Sequence, residues 1–402
     1  MNAHVEKLQL ALDQVTGYIY PNEIELHWGL LVVIYPYVTG LVAGAFILAS
    51  LEKVFKVKEV EPTYRLAMLT ALAFLIVAPL PLQAHLGHPE RSFEIFLTPH
   101  LKSAMAMFGF VYAWYLMVVL LLEIWFEYRV DLIAWRRKAK GPRKLLYWIL
   151  SLGSNNDSPQ AAAFDSRAVY AITVIGIPSA FLLHGYVGFI FGSVKANPWW
   201  SSVLMPIVFL FSAIVSGIAL VLLLYYVTSM LRKKAPEMPC LNKLASFLFY
   251  ALIIDLTLET LDFTHRLYES EESIKILREL IVTKLFLSLT IVQLLLGTIT
   301  PVVMLAIGRF SRLPDEMKRL IYFVAAILVQ VGIFSTRWNV VIGGQLFSKS
   351  LRGLTVYKQD LGGAEGLLVG LGLLVLPFLI LYVLIKLFPP WDEARTTRGP
   401  SS

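Results

Sequence analysis

A single cysteine, Cys240, stands among 402 residues. One thiol forms no intrachain disulfide and cannot supply the four thiolates that usually hold an iron–sulfur cluster, so any cluster must belong to a partner chain. Charge is scarce as well: Asp, Glu, Lys and Arg make up 16% of the chain, against roughly 25% in soluble domains. No stretch is long and polar enough for a sizeable soluble domain. Three histidines crowd one connection, but no cysteine accompanies them and their spacing fits no familiar zinc motif. A soluble enzyme and a zinc protein are thereby disfavoured.

What the chain has is apolar length. Hydrophobic residues make up 57% and the mean hydropathy is +0.68. About 20 apolar residues cross the hydrocarbon core as a helix. Nine runs qualify, at 28–50, 64–83, 103–127, 169–192, 203–230, 244–262, 281–308, 318–336 and 365–388 (spans 1 to 9). The expected fold is an all-α, polytopic membrane protein. The first run is too long for a signal-peptide core and lacks a basic flank, so it reads as a permanent span. Of the 35 Lys and Arg, 23 fall in the odd-numbered connections and C-terminal tail and 12 in the remaining segments. That bias places the N-terminus outside and the C-terminus in the cytoplasm, with the chain in the cell (cytoplasmic) membrane. The net charge of +7 therefore speaks for topology rather than nucleic acid, and the basic stretch from Arg136 to Lys144 faces an anionic leaflet.

Span 1 contains TGLVAGA from Thr39, and span 5 contains SAIVSGIA from Ser212, 173 residues later. Small residues four apart let helix backbones approach in lipid. Spans 2 and 3 shifted by the same offset fall roughly on spans 6 and 7. The pattern predicts two four-helix bundles, 27–192 and 203–345, with an additional helix at 365–388. Arg337 to Ala364 is expected to be the longest outer loop.

All seven histidines fall at or near the outer face in this topology: His4, His27, His85, His88, His100, His184 and His265. Span 6 reads ALIIDLTLETLDFTHRLY, which puts Asp255, Glu259 and Asp262 on one helix face. A carboxylate at mid-membrane costs about 2.5–3.5 kcal/mol on insertion scales. Asp255 and Glu259, followed by His265 at the outer end, suit a proton relay; the plainer alternative is a structural ion pair. The second connection, QAHLGHPERSFEIFLTPHLKS, brings His85, His88 and Arg91 to the same face. Span 4 adds His184, span 1 adds Tyr35, and span 8 closes on Arg337-Trp338-Asn339. Only His184 is well inside a span, and one ligand does not make a bis-histidine haem site. A lipid-soluble quinone is the redox carrier that suits this face.

HWGLLVVIYPYVTGLVAGAF resembles the first span of the polysulfide-reductase membrane-subunit family, also called NrfD-like. HLGHPERSFEIFLTPHLKSAMAMFGFVYAW is similar to its second loop and third span, NPWWSSVLMPIVFLFSAIVSGIAL to its fifth span and LLLGTITPVVML to its seventh. Within the family, the length and the extra helix look most like the membrane subunit of menaquinol-oxidising complexes associated with dissimilatory sulfite reductase. The resemblance implies two four-helix bundles and a subunit without haem or iron–sulfur cluster. It further implies a quinone pocket near the outer face, beside an iron–sulfur partner. A first-span histidine helps to hold the quinone in the polysulfide-reductase member; the corresponding position here, counted back from Gly40, is Tyr35.

The resulting expectation is a menaquinol-oxidising, or quinone-reducing, subunit of a respiratory oxidoreductase rather than a stand-alone enzyme. Tyr35, His85, His88, Arg91, His184 and Arg337 would surround the quinone, and Asp255, Glu259 and His265 would carry protons. The partners would be membrane lipid, a ferredoxin-like iron–sulfur subunit on the outer face and further redox subunits, in sulfur-compound or sulfate respiration. A proton-coupled transporter is the first rival, disfavoured by an inner half that reads as poor in polar groups. A passive anchor is the second, disfavoured by the buried acids.

Overall fold

Residues 9, 12–98, 100, 102–269 and 273–391 are described by the computed structural model of the chain. His4 and the end of the C-terminal tail lie outside the described residues. Among the described residues, nine helices are long and apolar enough to cross a membrane: Leu30–Lys53, Lys58–His85, Met107–Lys138, Pro159–Gly192, Met205–Leu231, Met238–Tyr268, Phe286–Phe310, Asp315–Gln345 and Leu367–Leu387. The chain is an all-α, multi-pass membrane protein. Several helices run well past their apolar runs, because a polar residue ends a hydropathy window without ending a helix. Span 8 shows this best. Regular helix continues to Val341, so Arg337 sits within the span and not at the start of a loop. Cys240, expected in a connection, is buried in the first turn of span 6.

The spans alternate in direction, which gives the bundle two ends. One carries His27, His85, His88, His100 and His265 and is called the histidine end; the other carries most of the Lys and Arg and is called the basic end. Span 1 packs on spans 2 and 4, and span 3 packs on both of those; span 5 packs on spans 6 and 8, and span 7 on both of those. These contacts define two sets of four spans. The sets meet where the small-residue motifs touch. A Cβ on Gly44 would lie 2.0 Å from the Ala213 carbonyl oxygen, and one on Gly217 would lie 2.2 Å from the Gly44 carbonyl carbon. Only glycine permits that approach, which places spans 1 and 5 backbone to backbone at the centre. Span 7 meets span 8 in the same way through Gly297 and Gly332.

Two spans depart from α geometry. Span 3 is π-helical over Tyr115–Leu121 and span 7 over Phe286–Ile299; the 173-residue offset carries the first segment into the second. Wider turns of this kind are frequent at functional sites. Span 9 lies against spans 1 and 2, with Phe378 edge-on to Phe74 at 5.3 Å. At the histidine end, strand β1 (Thr16–Tyr18) pairs antiparallel with β2 (Arg352–Leu354), Thr16 opposite Leu354. This clasp ties the segment before span 1 to the connection between spans 8 and 9. Below it, Gln345 accepts from the Trp28 amide through Oε1 and donates to the Trp28 carbonyl oxygen through Nε2, both at 3.0 Å.

Candidate quinone and proton site

Arg337 heads the fully buried side chains of the described residues by volume, with 0% of its surface exposed. It stands about 12 Å in from the histidine end, eight residues before Gln345 at 1.5 Å per residue. A guanidinium at that depth needs partners. Its Nη2 donates to His184 Nε2 at 3.2 Å, to the Ser212 hydroxyl and to the Phe209 carbonyl oxygen at 3.5 Å. Its carbon lies 4.2 Å over the Phe209 ring. Nε and Nη1, both buried, have no hydrogen-bond partner among the described residues.

His184 is held from both sides. Arginine can only donate, so Nε2 accepts from Arg337 and the ring proton is assigned to Nδ1. Nδ1 faces Thr39 Oγ1 at 3.4 Å, and that hydroxyl donates in turn to the Tyr35 carbonyl oxygen at 3.0 Å. Span 4's histidine thus bridges span 1 to span 8. With both nitrogens engaged, His184 orients Arg337 and has no free nitrogen for a bound ligand. Tyr35 sits one turn nearer the histidine end. Its ring is edge-on to Phe108 at 5.3 Å, and its buried hydroxyl has no hydrogen-bond partner among the described residues.

The carboxylates of span 6 face this arginine. Asp255 is 3% exposed, and both it and Glu259 are in electrostatic reach of Arg337. Asp255 Oδ1 and Glu259 Oε1 are buried without a hydrogen-bond partner among the described residues. The other Glu259 oxygen accepts from Gln293 Nε2 at 3.1 Å; Gln293 Oε1 accepts from Asn339 Nδ2 at 2.7 Å; Asn339 Oδ1 accepts from Ser288 Oγ at 2.6 Å. This polar chain crosses spans 6, 7 and 8 and uses the π-helical segment of span 7 for two of its members. One cation, two carboxylates and several unsatisfied donors and acceptors therefore share an apolar interior.

Other sequence-derived candidates lie elsewhere. Asp262 is completely buried and is bound by Arg266 and by the Ser202 hydroxyl, while Arg266 also donates to the Trp199 carbonyl oxygen. Asp262 therefore closes a structural lock at the end of span 6. His265 is half-buried one turn from Leu261, at the histidine end. His85 Nδ1 lies 3.0 Å from Glu365 Oε1, before span 9. His88 pairs with Glu90 at 3.0 Å and Arg91 with Glu94 at 2.9 Å, all on the exposed surface of the second connection. The Arg91 hydrogen bond holds the Glu94 carboxyl below its ordinary range. The structure does not bring His88 or Arg91 to the buried cluster. Thr39, Ser212, Gln293 and Asn339 belong to it; the sequence reading had Thr39 and Ser212 only as small packing residues and Asn339 only as part of the polar end of span 8, and it missed Gln293, although an amide inside an apolar run was a visible signal.

One expectation needs correction. The basic half of the bundle is not poor in polar groups. Arg65 pairs with Glu127 at 2.9 Å and with Asp131 at 2.7 Å, and Arg129 grips Asp165 through Nε and Nη2 at 2.7–3.0 Å. Glu123, fully buried, accepts from Tyr64 at 3.0 Å and Thr173 at 2.8 Å. These partners come from different spans, 36 to 66 residues apart, so no local pattern announced them.

At the histidine end a cavity of about 340 Å³ opens between Glu25, His27, Trp28, Trp200 and Lys349. Its floor is a ring stack: Trp28 lies on Trp200 at 5.3 Å, Trp200 meets Phe191 at 5.4 Å, and Phe191 meets Phe209 at 5.8 Å. Phe209 is the ring under Arg337. The stack therefore joins the surface to the buried arginine.

A nine-span helical membrane protein with a buried arginine–carboxylate cluster near one face is the class these features define. The family model "Polysulphide reductase, NrfD" matches residues 21–349, and the chain belongs to that family. It is 30% identical over 387 residues to a selenate reductase subunit of Mesobacillus selenatarsenatis, covering 92% of this chain and 88% of that one. It is 31% identical over 202 residues to a putative dimethyl sulfoxide reductase membrane subunit of Halobacterium salinarum, covering 48% and 42% of the two chains. Protein NrfD of Escherichia coli is 26% identical over 201 residues, 49% of this chain and 59% of its own.

Proposed function

We propose that the chain is the membrane subunit of a multi-subunit reductase complex and that it exchanges electrons and protons with a quinol, menaquinol being the expected form. The observation that carries this reading is a set of buried polar atoms without hydrogen-bond partners among the described residues: Arg337 Nε and Nη1, the Asp255 Oδ1 and Glu259 Oε1 atoms of the two carboxylates in its electrostatic reach, and Tyr35 Oη, on the residue whose carbonyl is joined to Arg337 through Thr39 and His184. Buried polar groups are nearly always hydrogen-bonded, and this set supplies what a quinone head needs. Tyr35 and Arg337 offer O–H and N–H donors to carbonyl oxygens, and the two carboxylates accept protons. A quinol, when bound, supplies two electrons and two protons.

This chain's own residues would then divide the work. Thr39 fixes the His184 ring, His184 and Ser212 fix Arg337, and Arg337 balances whichever carboxylate is ionised. Asp255 and Glu259 hold the released protons, and the Gln293–Asn339–Ser288 chain keeps Glu259 in place. Electrons leave for an iron–sulfur subunit docked at the histidine end, over the Trp28–Trp200 stack. The names of the relatives, which are reductase subunits, support partner subunits, and the lone, buried cysteine leaves a cluster to one of them. In this reading the histidine end faces out and the basic end faces the cytoplasm, as the Lys and Arg bias requires. The relatives carry the names of selenate and dimethyl sulfoxide reductases, so the proposal extends to the reductase class and not to sulfate respiration.

The test is a fluorescence titration of the purified chain with a quinol-analogue inhibitor. Wild type should bind saturably, and Tyr35→Phe should weaken binding about tenfold, the cost of one buried hydrogen bond of about 1.4 kcal/mol. His88→Ala should leave binding unchanged. Loss of binding in His88→Ala with full binding in Tyr35→Phe would move the site to the exposed loop.

A further inference from the structure

Spans 3 and 4 are joined at the basic end by a nine-residue helix, Pro142–Leu150, that crosses no membrane. Its sequence is PRKLLYWIL, and its placement is fixed on one side. Tyr147 packs on Trp135 at 5.7 Å, the Leu150 carbonyl oxygen accepts from Trp125 Nε1 at 3.1 Å, and Arg136 donates to the Ser151 hydroxyl at 3.3 Å. The opposite side is bare. Leu145, Trp148, Ile149 and, just past the helix, Leu152 are 59%, 52%, 53% and 76% exposed. They recur at i, i+3, i+4 and i+7, a single apolar stripe. A helix held between two spanning helices stands at the level of the lipid headgroups, where such a stripe, with tryptophan in it, enters the acyl boundary.

The charges around the stripe are not balanced by the protein. The three acids between residues 128 and 168 are spent on arginines: Asp131 on Arg65, Asp157 on Arg137 and Asp165 on Arg129. Arg136 is spent on Ser151 and Asn155. Lys138, Lys140, Arg143 and Lys144 are exposed, and no acidic residue pairs with them among the described residues. Four unbalanced cations thus flank an apolar stripe at headgroup depth. We propose that this helix and these four residues form a binding site for anionic phospholipid, with the headgroups on the cations and Leu145, Trp148 and Ile149 among the acyl chains. The basic run alone did not separate these roles, because Arg136 turns inward and Arg137 is paired with Asp157.

The experiment uses the full chain in nanodiscs of equal parts phosphatidylcholine and phosphatidylglycerol, with the retained lipids counted by native mass spectrometry. Each Lys or Arg near an anionic surface is worth roughly fivefold in binding. The combined variant Lys138→Gln, Lys140→Gln, Arg143→Gln and Lys144→Gln should lose at least about fivefold of the preference for phosphatidylglycerol. A control at the same end, Arg312→Gln with Lys318→Gln, removes charge away from the apolar stripe and should lose clearly less of it. Unchanged preference in the fourfold variant overturns the proposal, and so does an equal loss in the control. A second readout needs no charge change: the fluorescence lost in Trp148→Phe isolates Trp148. Its quenching by brominated phosphatidylglycerol should exceed that by brominated phosphatidylcholine. Equal quenching by the two removes the headgroup selectivity, and no quenching means that another protein surface or a second copy covers the face.

Discussion

The two ends of the membrane bundle bury charge in opposite ways. At the basic end two buried arginines sit in ion pairs: Arg129 is saturated by Asp165, Ser154 and the Asn156 carbonyl oxygen, and Arg65 lies between Glu127 and Asp131. At the histidine end Arg337 leaves two nitrogens unmet, and the carboxylates facing it leave two oxygens unmet. Removing one partner of a saturated buried pair is costly, and such a pair chiefly fixes geometry. An unsaturated cluster fixes little by itself and is poised to bind or to move a proton. In the proposed function, what distinguishes the cluster is that one cation and two carboxylates are left incompletely satisfied together, not that charge is buried. The line is not sharp: Glu123 Oε2, Glu52 Oε2, Tyr115 Oη, Arg319 Nε and Arg65 Nη1 are also buried without making a hydrogen bond among the described residues, although two hydroxyls hold Glu123 Oε1 and two carboxylates hold the rest of the Arg65 guanidinium.

The largest expected effect is on Arg337. Arg337→Gln removes the cation in contact with His184 and leaves Asp255 and Glu259 unbalanced. Breaking a buried pair from one side costs about 3–5 kcal/mol, so the variant should melt at lower temperature and lose quinol oxidation by at least about a hundredfold. Scanning calorimetry and quinol oxidation by the co-purified complex check both. Next comes the saturated pair. Asp165→Asn should cost similar stability while leaving the turnover of surviving complex within about twofold, since the pair is structural. Equal loss of turnover in both variants would erase the contrast between the ends.

The smallest effect concerns the exposed loop. Arg91→Ala should let the Glu94 carboxyl rise toward its ordinary range, because the guanidinium hydrogen bond is what holds it down. A depressed carboxylate contributes stability above its unfolded value and loses it as pH falls through the folded value. The variant should therefore weaken acid dependence of the loop and leave quinol oxidation unchanged. A pH series followed by NMR of the Glu94 carboxyl carbon, beside an activity assay, checks this.

The nine spans, Asp255 and Glu259 were legible because their signals are local: apolar length in the first case, and a carboxylate among apolar residues in the second. Family membership was legible through ordered motifs such as HLGHPERSFEIF. Span 8 was cut short because Arg337 ends a hydropathy window, whereas the helix continues past a guanidinium that neighbouring spans satisfy. His184 was read as a ligand because nothing local reveals that Thr39 and Arg337, 145 and 153 residues away, occupy both of its nitrogens. The ion pairs of the basic end were missed for the same reason, and the π-helical segments carry no sequence signature at all. The exposed His88 and Arg91 share a face with the cluster but not its depth, and depth is set by packing.

The central claim is that proton handling belongs to the unsaturated cluster at the histidine end. Its most direct test compares Asp255→Asn with Glu123→Gln in quinol oxidation by the co-purified complex. Both substitutions preserve shape, and Gln at 123 can still accept from Tyr64 and Thr173. The account predicts that Asp255→Asn slows turnover by at least about tenfold, equivalent to about 1.4 kcal/mol in the barrier, while Glu123→Gln stays within about twofold. Wild-type turnover in Asp255→Asn, or an equal loss in Glu123→Gln, would contradict it.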